Sequence, residues 1–259
     1  MRMMKKVLGT VTVLALSVSL LAGCGSTAAS PVSSAASTAA ESTTSSVVSE
    51  TTSAAADENE AAAAQLLNDL TGSYQELWPV ILADKYQQTW LDDCTALVGE
   101  ENAEAAFEKL SSMVTSDVYG EDAVEAYANG GGAYFCGFTN SLATLTFDGE
   151  TSTISGTDKD GNVLFSHTYH YIGMEPVHEL YEFESDDADS GEFTYFFLAP
   201  DISAETYHIE FRYGSDAEAL SQYDAGEYAY WVASGISTDC DQTMIDNCIE
   251  LFCTENLAG

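Results

Sequence analysis

The stretch Tyr207-His208-Ile209-Glu210-Phe211-Arg212-Tyr213 alternates between apolar and polar residues at every step. Successive side chains of a β-strand point to opposite faces, so this pattern predicts a strand with one apolar and one polar face. His208, Glu210 and Arg212 share the polar face of that strand. We therefore expect a half-buried strand in a sheet that covers a core.

Similar short runs precede this strand along the chain, separated by turn sequences such as Asp158-Lys159-Asp160-Gly161-Asn162. Short strands with turn signals every 8 to 12 residues or so predict a meandering antiparallel sheet or a small barrel. The predicted strands are 142–147, 153–155, 163–165, 169–172, 180–183, 193–198 and 206–213.

Helical patterns flank the strand region on both sides. Gly72 ends a first Ala- and Leu-rich run, and Ser73-x-x-Glu76 has the form of a capping box that opens the next helix. The order of helices, strands and helices predicts an α+β fold rather than an alternating α/β fold. The predicted helices are 58–70, 74–98, 102–114, a short helix opening at Ser215-x-x-Glu218, and 239–253.

The first residues have the pattern of an export signal. The basic start Met1-Arg2-Met3-Met4-Lys5-Lys6 precedes an uncharged apolar run at 7–22, and this run is followed by Cys24. The stretch Leu21-Ala22-Gly23-Cys24 resembles the bacterial lipobox. We therefore predict that residues 1–23 are a signal peptide and that Cys24 carries the lipid that anchors the mature protein to the cell membrane.

Residues 24–60 are mostly Ser, Thr and Ala and contain no aromatic residue, so we interpret them as a disordered tether to a folded domain at 61–259. Removing 1–23 removes three of the seven basic residues, which leaves four against 42 acidic residues and a net charge of −38. Nucleic-acid binding requires clustered Lys and Arg, so this charge argues against such a partner. It attracts cations instead.

Five cysteines follow Cys24, at positions 94, 136, 240, 248 and 253. An odd number predicts at least one thiol without an intramolecular partner. No Cys-x-x-Cys occurs, which argues against a redox pair or a zinc ribbon. Cys240 and Cys248 lie too far apart to bridge if both belong to one helix. The sequence leaves the pairing open.

Several spaced patches between residues 70 and 255 resemble the ZinT (YodA) family of lipocalin-like, zinc-binding proteins. The resemblance implies a lipocalin/calycin-like antiparallel β-barrel with helices at both ends of the domain. It rests on Gly72-Ser73-Tyr74-Gln75-Glu76-Leu77-Trp78-Pro79, Ser166-His167-Thr168-Tyr169-His170-Tyr171-Ile172-Gly173, Tyr195-Phe196-Phe197-Leu198-Ala199-Pro200-Asp201, His208-Ile209-Glu210-Phe211-Arg212-Tyr213-Gly214-Ser215-Asp216 and Tyr228-Ala229-Tyr230-Trp231.

The resemblance also implies a metal site. The family holds its metal with three histidines, and the matching positions here are Asp201, His208 and Glu210, of which only the middle one is His. One imidazole and two carboxylates still suit zinc, with a shift towards harder cations such as Mn²⁺ or Ca²⁺. His167 or His170 is a candidate fourth ligand. The resemblance implies zinc capture or delivery to an import system, with the binding protein of a metal ABC transporter as partner.

Two alternatives to the metal site remain open. His208, Glu210 and Arg212 also suit a solvated strand face with Arg212 paired to Glu210. The domain also suits a lipocalin-like module that binds an apolar ligand or a surface partner without metal. We do not expect an enzyme, because no Gly-x-Ser-x-Gly, His-Glu-x-x-His or phosphate loop occurs.

Overall fold

A closed antiparallel barrel forms the centre of the computed structural model, which describes residues 47–199 and 208–258, with side chains from Glu58 onward. Eight strands follow one another around the barrel in chain order, and β1 pairs with both β2 and β8, which closes it. The predicted α+β fold with a lipocalin-like barrel is thereby confirmed. The strands are β1 (Gly72–Glu76), β2 (Thr144–Asp148), β3 (Thr153–Thr157), β4 (Val163–Met174), β5 (Tyr181–Ser185), β6 (Tyr195–Leu198), β7 (His208–Gly214) and β8 (Ala233–Ser237).

Seven α-helices in the described parts of the chain surround this barrel. Helix α1 begins at Val47 and therefore includes residues 47–60, the last part of the segment interpreted as a tether. This part of the chain is rich in alanine, and alanine favours helix formation. None of the described helices is both long and apolar enough to cross a membrane. The helices are α1 (Val47–Asp69), α2 (Leu77–Ile81), α3 (Gln87–Val98), α4 (Ala103–Val114), α5 (Glu121–Ala128), α6 (Ala217–Leu220) and α7 (Gln242–Leu257).

The predicted helix over 74–98 is wrong in its first part. Residues Gly72–Glu76 form β1, and the Ser73 hydroxyl bonds the Thr146 hydroxyl of β2 at 2.8 Å instead of capping a helix. Glu76 precedes α2 without a capping side-chain bond. Pairing with β2 and β8 closes the barrel, so tertiary contacts outweigh the local capping pattern here.

Aromatic side chains fill the barrel. The rings of Phe165 and Phe193 stack with centroids 3.9 Å apart, and the ring of Tyr213 packs edge-on against that of Trp231. The Tyr213 hydroxyl contacts the backbone nitrogen and oxygen of Thr139. Buried members of this core include Tyr74, Phe147, Phe183, Phe196, Phe211 and Ala233.

A second core lies between the outer side of β8 and helices α2, α3, α4 and α7. Ile236 of β8 packs there together with Trp78 and Trp90, both buried, and the Trp90 indole donates to the Ile81 carbonyl at 2.8 Å. Asp241 caps α7 by accepting the backbone N–H of Met244. Helices α2, α3, α4 and α7 therefore form one layer against the outer side of β8.

Candidate metal centre

The described part of the predicted metal site lies on β7. Antiparallel register places His208 opposite Ile236, Glu210 opposite Ser234 and Arg212 opposite Phe197. The alternate residues of this strand pack in the barrel core, as their periodicity predicts. His208 and Glu210 are half-buried and Arg212 is fully buried. Asp201 and Cys24 lie outside the described residues.

Arg212 ties a loop onto the barrel. Its two terminal nitrogens donate to the carbonyls of Leu220, Gln222 and Tyr228, and its guanidinium lies 4.1 Å from the ring centroid of Tyr223. Desolvation lowers the pKa of Arg212, while the charge of Glu175 acts in the opposite direction. Because Arg212 is removed from solvent and holds three carbonyls, the polar face of β7 is not a solvated surface at this position.

A buried carboxylate lies close to this arginine. Glu175 is fully buried and accepts the backbone N–H groups of Val177 at 2.9 Å and His178 at 2.6 Å. The His178 ring packs on Tyr223 with centroids 3.6 Å apart. The chain thus folds the turn between β4 and β5 onto the loop that Arg212 anchors.

His178 and Glu210 face a common small cavity of about 10 Å³, with Tyr223 and the apolar Leu180 and Val232 in its wall. A space of this size holds about one water-sized particle. The structure therefore brings a second imidazole into the surroundings of Glu210. Neither His178 nor Glu175 could be selected from the sequence, because no regular spacing links either of them to β7.

The described residues do not by themselves complete a metal centre. Across 58–199 and 208–258, no group of three His, Cys, Asp or Glu side chains is arranged to hold a metal ion. His208 and Glu210 therefore represent at most a part of such a site, to which the segment containing Asp201 would have to contribute.

The two histidines considered as a fourth ligand have other partners. His167 Nδ1 lies 2.7 Å from Asp187, and His170 Nδ1 lies 2.8 Å from Asp186. Neither histidine is among the residues that line the cavity beside Glu210. These contacts favour a local role for both on β4.

The sequence around Asp158 forms a hairpin turn between β3 and β4, as predicted. The Asp158 carboxylate accepts the backbone N–H groups of Asp160 and Asn162, each at 2.9 Å, together with the Asn162 amide. These bonds, above all those from Asn162, lower the pKa of Asp158.

Comparisons with known proteins give a few distant structural matches. No protein-family model matches the chain, and no curated protein matches it. The Zn(II)-bound ZinT-like domain of Streptococcus pneumoniae AdcA is 16% identical over 71% of this chain and 89% of its own, with a TM-score of 0.45. Zn(II)-bound AdcA from the same organism is 14% identical over 72% of this chain and 35% of its own, with a TM-score of 0.42. This chain therefore spans about a third of the length of AdcA.

Proposed function

We propose that this chain is a membrane-anchored, extracytoplasmic protein that binds a divalent metal ion, with zinc as the first choice. The observation that carries the proposal is the pair His208 and Glu210, which lie two residues apart on one face of β7 and are both half-buried. Residues two apart on a strand are separated by about 6.5–7 Å along it, so both side chains reach a common ion. Asp201 is the proposed third ligand.

The chemistry of this donor set suits a borderline cation. Imidazole nitrogen and carboxylate oxygen are both zinc ligands, and two carboxylates in the set also admit Mn²⁺ and Ca²⁺. Partial burial supports binding, because a charge pair is less screened there than on the open surface. The strongly acidic chain raises the local concentration of any cation around the domain.

The proposed role is capture of the ion and its delivery to an import system, without chemistry on a substrate. The lipobox-like pattern at Cys24 supports a position at the outer side of the membrane, and we propose a membrane-bound partner within reach, such as the binding protein of a metal ABC transporter.

Metal analysis of the purified full-length chain tests this proposal. We expect about one equivalent of zinc per chain after exposure to a mixture of Zn²⁺, Mn²⁺ and Ca²⁺ followed by desalting. His208→Ala should lower zinc affinity at least tenfold, because it removes the only imidazole of the set. His170→Ala is the matched control, since His170 is exposed on β4 and paired with Asp186. Uptake that is near zero in the parent chain, or equal in the parent and His208→Ala, would contradict the proposal.

The alternative, a metal-free module for an apolar ligand, requires an open barrel interior, whereas aromatic side chains pack together in the described part of it. An open pocket of about 320 Å³ lies outside the barrel instead, between α2, the end of α4 and residues 135–137, where Trp78, Leu82 and Phe135 contribute to its lining. A zinc-free parent chain that binds an apolar dye, and loses it on Leu82→Glu, would favour this alternative.

A further inference from the structure

Two cysteines from opposite ends of the domain meet in the helical core. Cys94 of α3 and Cys253 of α7 are both fully buried, and their Sγ atoms lie 3.9 Å apart. They are separated by 159 positions along the chain. Helices α3 and α7 pack along each other, and both residues belong to the same buried cluster as Trp90 and Ile249.

We infer that Cys94 and Cys253 form a disulfide bond that joins α3 to α7. A disulfide requires the two sulfur atoms to approach to about 2.05 Å, which is about 2 Å closer than they lie as thiols. The inference therefore requires the two side chains to turn about their χ1 angles until this gap is closed.

The surroundings of the other cysteines favour this pair. Cys136 is buried beside Ser234 and Trp78 on the barrel side of the helical layer. Cys240 precedes α7 and Cys248 lies inside it, so the two do not share one helix, unlike in the predicted helix 239–253. A single Cys94–Cys253 bond accounts for two of the five described cysteines and leaves Cys136, Cys240 and Cys248 as thiols.

The reaction is a thiol–disulfide exchange with an external disulfide such as oxidised glutathione. One cysteine thiolate attacks the external disulfide and releases one thiol, and the second cysteine then displaces the other thiol from the mixed disulfide. Two S–H bonds are lost, one S–S bond forms between the cysteines, and the external disulfide is reduced to two thiols that take up both protons. The export signal predicted at residues 1–23 directs the chain to a compartment where such oxidants persist.

Burial determines when the bond forms. Neither side chain has any exposed surface in the folded domain, so an external disulfide cannot reach these sulfur atoms there. Burial also raises the pKa of both thiols, which depletes the reactive thiolate once α3 and α7 have packed. The exchange therefore belongs to folding, before the helical layer closes.

Disulfide mapping after refolding tests the inference directly. The reduced, denatured full-length chain is refolded in a mixture of reduced and oxidised glutathione, and its remaining thiols are then alkylated in denaturant. A protease that cleaves after acidic residues then cuts the chain after Glu250, which separates Cys253 from Cys248 before mass spectrometry. We expect a cross-linked peptide pair that contains Cys94 and Cys253, with alkylated Cys136, Cys240 and Cys248. Alkylation of all five, or a bond from Cys94 to any other cysteine including Cys24, would overturn the inference.

A second measurement follows the stability of the unaltered chain first and then that of two variants. The urea midpoint of the refolded chain should fall when a reductant is present during unfolding, and an unchanged midpoint would overturn the inference. Cys136→Ala is the matched control, because it removes another buried thiol and should retain both the cross-link and the effect of the reductant. Cys253→Ala should lose both.

Discussion

The Nδ1 atom of His178 lies 3.3 Å from a carboxylate oxygen of Glu175, and this carboxylate is buried while the imidazole keeps about a quarter of its surface exposed. Such a contact holds the imidazole ring in one orientation through its Nδ1 atom. Glu175 also lies in the field of the buried Arg212. The buried Glu175 therefore holds the β4–β5 turn, and the buried Arg212 holds the loop after α6. Residues of both segments, His178 and Tyr223, lie beside Glu210.

Glu175→Gln tests the importance of this buried carboxylate for the fold. We expect it to lower the free energy of unfolding by about 2 kcal/mol, because an amide oxygen accepts one of the two backbone N–H groups and leaves the other unpaired. Glu179→Gln is the matched control, since Glu179 is exposed on the same turn and should change stability by less than about 0.5 kcal/mol. Urea unfolding followed by circular dichroism measures both, and equal losses would contradict the prediction.

Arg212→Met removes the donors that anchor the loop after α6. We expect a loss of about 3 kcal/mol or more, because the carbonyls of Leu220, Gln222 and Tyr228 lose their partner inside the protein. Arg212→Lys should be intermediate, since an ammonium group keeps the charge but not the planar fork of donors.

The control for Arg212 is Lys85→Met. Lys85 is exposed, and its ammonium lies 4.5 Å from the ring centroid of Tyr86, so we expect a change below about 1 kcal/mol. Unfolding by urea at neutral pH compares the variants. A loss at Arg212→Met no larger than that at Lys85→Met would show that the loop does not depend on the guanidinium.

Most strands that follow Gly132 could be predicted because apolar and polar residues alternate along them, and β7 is the clearest case. Strand β8 could not be predicted, because its first four residues are all buried and no alternation marks them. The first strand could not, since Gly72–Glu76 contributes only Tyr74 to the buried core and carries a capping-box pattern as well. Two separately predicted runs proved to be one strand, Val163–Met174, because hydrogen bonding to β3 and then to β5 continues through His167 and Thr168.

Part of the candidate site could likewise be predicted from the sequence, and part of it could not. His208 and Glu210 could be placed on one face from their spacing alone, because a strand has a fixed period of two. Glu175, His178 and Tyr223 could not, since the turn after β4 and the loop after α6 bring them together across more than forty residues of chain. Contacts of this kind depend on tertiary packing, and no local pattern contains them.

Asp93 gives the pH dependence a definite sign. Burial, followed by the negative charges of Glu250, Asp246 and Asp92, raises its pKa above 3.8. The folded state therefore binds this proton more tightly than the unfolded chain, so the contribution of Asp93 is fully present below pH 3.8 and is lost as the pH rises through the raised value. We expect Asp93→Asn to raise the melting temperature at neutral pH, with a difference that disappears in acid.

The control for Asp93 is Asp117→Asn, because Asp117 is exposed on the loop after α4 and is not among the charges that act on Asp93. Melting curves of the parent and both variants between neutral pH and acid below pH 3.8 measure the effect. A stabilisation by Asp93→Asn that persists unchanged in acid would contradict the assignment to this carboxyl group.

Glu210→His tests the metal preference that the proposed donor set implies. Replacing a carboxylate by an imidazole should favour zinc over Mn²⁺ and Ca²⁺, because the softer nitrogen donor suits zinc better. We expect the ratio of bound zinc to bound manganese to rise at least tenfold in a competition experiment with equal concentrations of both ions. Glu104→His, on an exposed position of α4, adds the same imidazole to a helix without another histidine and should leave the ratio unchanged. An equal rise in both variants would show that the added histidine binds zinc at the surface, independently of β7.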